Sequence, residues 1–154
     1  METSGNPDRF ILKLVYDLRR YSDKWAFSHL PVMSKIEFNL TYMPYFMNIG
    51  YSGISNHDLV NRIKVTKQGV SKIVKELERL GLVTTAKSET DARSNMIFLT
   101  EDGKKLYEGV NKMGEELTGE YIKLVGAKKY EQFIDTFLKI TEWHESQEQT
   151  NQYL

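Results

Sequence analysis

The feature that most constrains the fold is a series of helix start and stop signals in the middle of the chain. Ser55 followed by Asp58 is typical of a capped helix start, and Thr66 is placed to cap a second helix. The second helix carries apolar residues three and four positions apart and meets Gly81, a residue suited to a left-handed C-terminal cap. These signals predict a short helix, a tight turn and a longer helix, which is the helix-turn-helix layout.

A β-hairpin is predicted directly after this pair of helices. The stretches 82–87 and 95–99 contain good strand formers and flank a polar loop. Thr100 is placed to cap another helix, whose first turn is acidic. A helix-turn-helix followed by a hairpin is a winged helix, with its recognition helix at 66–80 and its wing at 82–99.

Helices are predicted on both sides of the winged helix. An apolar stripe with helical spacing runs from Phe10 to Trp25, and two further stripes, at 106–124 and 130–141, lie on either side of Gly126. The fold class is therefore mainly α with a small β-hairpin wing (α+β), a winged helix-turn-helix flanked by N- and C-terminal helices.

One further helix is predicted between the first stripe and the winged helix. Ser34 is placed to cap it, and Ile36, Leu40, Met43 and Met47 would lie on one face. Pro44 conflicts with this interpretation, because a proline in a helix interior kinks or ends the helix.

Composition excludes several classes of protein. The chain has 154 residues and no cysteine, which excludes disulfides, a thiolate nucleophile and a cysteine-ligated zinc site. The three histidines are scattered without metal-ligand spacing, and the sequence has neither a glycine-rich phosphate loop nor a nucleophile elbow. We therefore expect no metal, no cofactor and no enzymatic activity.

The hydropathy pattern indicates a cytoplasmic protein. No apolar run approaches the roughly 20 residues that a membrane span requires. The first residues have neither the basic nor the apolar region of a signal peptide. We therefore expect no membrane partner.

The charges are unevenly distributed although the net charge is zero. Residues 54–100 carry 8 basic and 5 acidic side chains, whereas residues 101–154 carry 7 basic and 11 acidic ones. Because only the local field matters at a binding face, the neutral total does not exclude a nucleic-acid partner.

The outer face of the recognition helix carries the candidate DNA contacts. With Val70, Ile73, Val74 and Leu77 directed inward, helical geometry places Gln68, Lys72, Lys75 and Arg79 on the opposite face. Glutamine can pair with adenine, and lysine can reach guanine or phosphate. The candidate DNA-binding residues are Lys67, Gln68, Ser71, Lys72, Lys75, Lys87 and Arg93. The alternative is an ordinary solvated helix face.

Two residues of the wing loop receive different roles. Arg93 is placed to enter a minor groove, where negative potential attracts a guanidinium group. Asp91 is assigned a structural role in holding the loop. The alternative for both is a polar loop with an exposed ion pair of little energetic weight.

The stretch Ile54–Gly103 resembles the DNA-binding domain of the MarR family of transcriptional regulators. The matching residues are Leu59, Val65 and Val70, then 77–83 (LERLGLV), then 91–93 (DAR) and 99–103 (LTEDG). The resemblance implies an obligate homodimer that binds a pseudo-palindromic operator. It also implies a ligand pocket between the dimer helices and the winged domain. Residues 1–33 and 104–154 are then dimerisation helices, and residues 34–103 form the DNA-binding domain.

A group of aromatic residues lies near the predicted junction of these parts, and it allows two interpretations. It either lines a site for a small apolar or aromatic effector or forms core and dimer interface, and we favour the second. The candidate effector residues are Trp25, Phe38, Tyr42, Tyr45 and Phe46.

Two functions other than DNA binding stay open. One is a winged-helix protein-interaction module, because Thr84, Thr85 and Ala86 stand where MarR-family wings often carry an arginine pair. The other is a small-molecule-binding dimer without DNA binding, for which only the aromatic group argues.

Overall fold

Residues 5–87, 89–90 and 95–151 are the part of the chain that the computed structural model describes, and they form seven α-helices and one three-stranded sheet. The helices are α1 (Ile11–His29), α2 (Val32–Lys35), α3 (Met43–Met47), α4 (Asn56–Ile63), α5 (Lys67–Arg79), α6 (Glu101–Val125) and α7 (Ala127–Asn151). The strands are β1 (Ile54–Ser55), β2 (Val83–Lys87) and β3 (Asn95–Leu99). The predicted mainly helical winged helix is confirmed. None of the described helices combines the length and the apolar character that crossing a membrane requires.

Hydroxyl side chains cap the helices as the sequence predicts. The hydroxyl oxygen of Ser55 accepts a hydrogen bond from the backbone N–H of Asp58 at 3.0 Å, at the start of α4. Thr66 accepts from the N–H of Gly69 at 3.0 Å, at the start of α5. Each cap satisfies a backbone donor that a helix leaves without an internal partner, which fixes where the helix begins.

Residues in left-handed backbone conformation end the two central helices. Lys64, with a φ of 52°, forms the turn between α4 and α5. Gly81, with a φ of 77°, follows the recognition helix α5, and the N–H of Leu82 donates to the Leu77 carbonyl at 3.0 Å. Because only glycine adopts this conformation without steric cost, Gly81 is the residue that lets the chain turn from α5 into β2.

The wing hairpin forms in the predicted stretches, and the structure adds a third strand. Strands β2 and β3 pair antiparallel from Val83 opposite Leu99 to Lys87 opposite Asn95. The two-residue strand β1 pairs with the other edge of β3, with Ile54 opposite Ile97. A strand of two residues is too short to show an alternating pattern, so β1 could not be predicted from periodicity.

The predicted single helix after Ser34 is wrong. Ser34 lies inside the four-residue helix α2, and Glu37 then adopts a φ of 57°, which the helix cannot continue through. A 3-10 turn at Leu40–Tyr42 leads into α3, and Pro44 occupies the first turn of α3. A proline is tolerated there because its missing N–H would have no helical partner.

The hydrophobic core of residues up to Met113 lies between the helix-turn-helix and the sheet. Its largest fully buried side chains are Phe46, Met33, Leu59, Leu77, Ile97 and Val70. These residues come from α2 to α5 and β3, so each element contributes at least one side chain that cannot move without opening the core.

Helix α1 leaves an apolar stripe uncovered. Phe10, Ile11 and Val15 are 57%, 63% and 55% exposed, and Leu14 and Leu18 are also exposed. Exposed apolar patches of this kind mark interaction surfaces in soluble proteins.

Residues from Gly114 onward form a second compact unit that contains the end of α6 and all of α7. Gly126 separates the two helices, as predicted. The hydroxyls of Thr118 and Tyr130 lie 3.3 Å apart. Helix α7 also exposes large apolar side chains, namely Phe133, Phe137, Leu138, Ile140 and Trp143.

Candidate nucleic-acid interface

Helix α5 is oriented by the apolar residues on one of its faces. Of the predicted inward positions, Val70, Val74 and Leu77 are buried, and Ile73 is partly buried against the core. Helical geometry then turns the opposite side of α5 toward solvent. The exposed side is therefore fixed by core packing, and its own polar residues need not hold it in place.

The exposed side of α5 carries an open depression, which we name the recognition face. It is lined by Lys67, Gln68, Ser71, Lys72, Lys75 and Glu76. Gln68 and the three lysines are exposed, whereas Ser71 and Glu76 are half-buried. No ion pair holds these lysines within the described part of the chain. Five of the predicted DNA-binding residues are thus brought together on one surface, with their cations available to a ligand.

Arg79 and Glu76 depart from the expected pattern. The sequence places Arg79 on the cationic face, but its Nε and Nη2 atoms donate to Oε2 of Glu76 at 3.1 and 3.0 Å. Glu76 was not among the candidates, although its spacing of three residues from Arg79 is the usual spacing of a helical ion pair. The recognition face therefore contains a carboxylate that the sequence analysis missed.

The wing carries one described candidate. Lys87 is exposed at the end of β2 that is remote from α5, opposite Asn95 in the strand register. Arg93 and Asp91 lie outside the described residues, so their predicted roles stay predictions.

A histidine lies in the first turn of α4, the helix before the recognition helix. His57 is exposed, and its Nε2 atom lies 3.2 Å from the side-chain nitrogen of Asn61. Residues 5–87, 89–90 and 95–151 contain no group of three His, Asp or Glu side chains that could hold a metal ion.

The aromatic candidates separate into buried and peripheral residues. Phe38 and Phe46 are core residues whose ring centroids lie 5.8 Å apart, and Tyr42 packs edge-on against Phe38. Trp25 instead stacks on His29, with 3.7 Å between ring centroids. Tyr45 is half-buried beside the first turn of α5. The structure gives Phe38 and Phe46 a packing role and leaves Trp25, Tyr42 and Tyr45 partly accessible.

One titratable group is perturbed, and it lies off the recognition face. Desolvation and a hydrogen bond from its hydroxyl to Glu108 at 3.2 Å raise the pKa of Tyr51 above its usual value. The Tyr51 ring also packs edge-on against Tyr107, with 5.0 Å between centroids. These contacts with Glu108 and Tyr107 connect the segment before β1 to α6.

The residues of the recognition face lie within a stretch of the chain that matches a family model. Residues 38–94 match the model of the MarR family. Over these residues the chain is similar to the MarR family. This result confirms the resemblance that the sequence carries, and the matched residues include α3, β1, α4, α5 and β2.

Two curated relatives match part of the chain. The chain is 26% identical over 87 residues to the HTH-type transcriptional regulator YdgJ of Bacillus subtilis, which is 56% of this chain and 53% of YdgJ. It is 36% identical over 64 residues to the HTH-type transcriptional regulator FarR of Neisseria gonorrhoeae, which is 42% of each chain. The chain thus spans about half the length of the curated relatives it matches. Both names describe regulators of transcription.

Solved structures share the fold of the winged helix and its flanking helices. The S. aureus MepR–DNA complex superposes with a TM-score of 0.62 at 20% identity, and the match covers 82% of this chain and 94% of MepR. At an identity this low, the superposition shows a common fold and nothing further.

Proposed function

We propose that this chain is a MarR-like homodimeric regulator of transcription that binds a pseudo-palindromic DNA operator in the cytoplasm. The observation that carries the proposal is the recognition face, where three unpaired lysines and a glutamine project from the second helix of a helix-turn-helix. The MarR-family match, the regulator names of the two relatives and the DNA-bound neighbour of the same fold support the same partner.

In the proposed complex, α5 lies in the major groove. Gln68, Ser71 and Lys72 occupy its first two turns, where a recognition helix makes most of its base contacts. Lys67 and Lys75 flank them and meet phosphates, which fix the protein on the duplex without carrying sequence information. Core packing fixes the helix that carries these five side chains, so binding requires ordering of side chains and no rearrangement of the helix.

The wing is proposed to contact DNA beside the recognition helix. Lys87 supplies a phosphate contact at the far end of β2, and Arg93 enters the adjacent minor groove. These two residues would extend the protein–DNA interface to DNA outside the base pairs that α5 contacts.

Dimer formation is proposed for the two ends of the chain, residues 1–33 and 104–154. The apolar stripes of α1 and α7 are exposed in a single chain, and burial against a second copy would remove them from water. Obligate dimers use large hydrophobic interfaces of this kind. A two-fold dimer would present two recognition helices, which matches an operator of two half-sites.

A small apolar or aromatic effector is proposed to modulate binding. The support is the partly accessible position of Trp25, Tyr42 and Tyr45, because partly exposed rings offer stacking surfaces to a ligand. Phe38 and Phe46 would act as the wall behind such a site. A metabolite panel screened for thermal stabilisation tests this element on its own.

Selection of bound duplexes from random DNA tests the central proposal. A regulator yields a two-fold symmetric motif, and the double variant Lys72→Ala/Lys75→Ala yields none. Lys112→Ala serves as the matched control, because Lys112 is an exposed lysine of α6 away from the recognition face. A wild-type chain that enriches no sequence and binds duplex no better than the double variant would contradict DNA binding.

The second candidate function is a winged-helix protein-interaction module. The observation that favours it is the outer strand β2, where Thr84, Thr85 and Ala86 are exposed and uncharged, so Lys87 is the only cation in the strand. The same selection experiment separates the two functions, because an interaction module would retain its fold and enrich no DNA motif.

A further inference from the structure

We propose that Glu76 determines base specificity by accepting a hydrogen bond from the exocyclic amino group of cytosine. This inference rests on the proposed function, because it requires α5 to lie in a major groove. The starting observation is that Glu76 lines the recognition face together with Gln68, Ser71 and three lysines, as its one carboxylate.

A carboxylate on a surface that meets DNA has an electrostatic cost. Phosphate groups repel it, and desolvation penalises it unless it gains a partner. Arg79 supplies part of that partnership, because both of its donating nitrogens bind the same oxygen, Oε2. The other oxygen, Oε1, has no hydrogen-bond partner among the described residues, so Glu76 keeps one acceptor to offer.

Arg79 also fixes the direction of that acceptor. Two donors on a single oxygen restrict the rotation of the carboxylate, and the side chain of Glu76 remains 36% exposed. Arg79 is therefore a positioning residue, and its own side chain is 61% exposed, clear of the depression's lining. Arg79 thus holds one oxygen of the Glu76 carboxylate and leaves the other available as an acceptor.

The edges of the base pairs decide which base such an acceptor selects. In the major groove, cytosine presents the N4 amino group as a donor, whereas guanine O6 and thymine O4 are acceptors that repel a carboxylate. Adenine also presents an amino donor, but its neighbouring N7 acceptor faces the same side chain. A carboxylate therefore favours cytosine.

The helix geometry places this cytosine relative to the base contacted by Gln68. Eight residues separate Gln68 from Glu76, which is about 12 Å along the helix axis. That distance corresponds to roughly four base-pair steps of about 3.4 Å. In each half-site, the selected cytosine therefore lies within about four base pairs of the base that Gln68 contacts.

Selection from random duplex DNA with the wild-type protein, Glu76→Gln and Glu78→Gln tests the assignment. Glutamine keeps the size of the side chain but pairs with adenine N6 and N7. We expect Glu76→Gln to lower the preference for cytosine at one position of each half-site by about five-fold or more and to raise adenine there. Glu78→Gln removes the same charge from an exposed position outside the depression, so its motif should equal that of the wild type.

The outcomes separate this inference from the proposed function. A wild-type protein that selects no motif would overturn both. In a second outcome, the wild type selects a motif, Glu76→Gln selects the same motif, and both Glu76→Gln and Glu78→Gln raise the DNA affinity equally. That outcome would support DNA binding and overturn the role of Glu76. Thermal unfolding of each variant confirms that the fold persists, because both substitutions change partly or fully exposed side chains.

Discussion

The salt dependence of DNA binding tests the recognition face most directly. Lys67, Lys75 and Lys87 are the proposed phosphate contacts among the described residues, which makes six contacts in a dimer. Each contact releases about 0.9 counterion, so the slope of log K against log salt should be about −5. Raising the salt from about 50 to about 200 mM should then weaken binding roughly a thousandfold.

Removal of one lysine should change that slope by a calculable amount. Lys75→Ala deletes two contacts per dimer, so the slope should become shallower by about 2. Lys75 is exposed and lies opposite the buried residues of α5, so its substitution should leave the free energy of unfolding within about 0.5 kcal/mol of the wild-type value. Lys112→Ala, on α6, removes the same charge from a position off the recognition face and should leave the slope unchanged.

Fluorescence anisotropy with a labelled duplex, titrated at four or more salt concentrations, gives these slopes. The protein must remain in one assembly state throughout, which light scattering at each salt concentration verifies. Two results would refute the reasoning. One is a wild-type slope shallower than about −2, and the other is an equal change of slope in Lys75→Ala and Lys112→Ala.

The remaining predictions concern specificity, stability and assembly. Gln68→Ala should alter the selected DNA motif. Lys75→Ala should preserve the motif and weaken binding to all sequences nearly equally, because phosphates carry no base identity. If both variants selected the same motif, base recognition would lie elsewhere. Thr66→Ala should lower the free energy of unfolding by about 1 kcal/mol in urea denaturation through loss of the α5 cap, and Thr66→Ser should retain it. Gly103→Ala should cost about 1–3 kcal/mol in the same assay, because its methyl group would overlap the Leu82 carbonyl oxygen; an unchanged midpoint would contradict that close approach. Sedimentation equilibrium at low micromolar concentration should give a dimer, and a well-folded monomer there would remove the proposed role of the α1 and α7 stripes.

Local signals made most of the winged helix predictable. The caps at Ser55, Thr66 and Thr100 and the stop at Gly81 depend on the chemistry of one or two neighbouring residues, so they can be identified without knowledge of the fold. The inward residues of α5 followed from helical periodicity alone.

The elements that were missed depend on tertiary contacts. The end of α2 depends on Glu37 in a left-handed conformation, for which glutamate has no intrinsic preference. Strand β1 exists only because Ile54 meets Ile97 across the sheet. In the candidate site, the exposure of Gln68 and the lysines was predictable from the helical pattern. The ion pair between Arg79 and Glu76 was not, because Arg79 has several charged neighbours in the sequence and the pattern does not say which of them it contacts.

The junction around Thr100 connects three elements of this domain through hydrogen bonds. The Thr100 hydroxyl donates to the Gly81 carbonyl at 2.6 Å and accepts from the N–H of Gly103 at 3.0 Å, while the Thr100 N–H donates to the Leu82 carbonyl at 3.0 Å. The end of the recognition helix, the base of the wing and the first turn of α6 therefore meet at one joint without a flexible spacer. A displacement of α6 at this point would carry α5 and the hairpin with it as one rigid body, so the two DNA-contacting elements would keep a constant separation. Regulation through this joint would change the angle at which both elements approach the duplex together, and a single threonine would set how stiffly that angle is held.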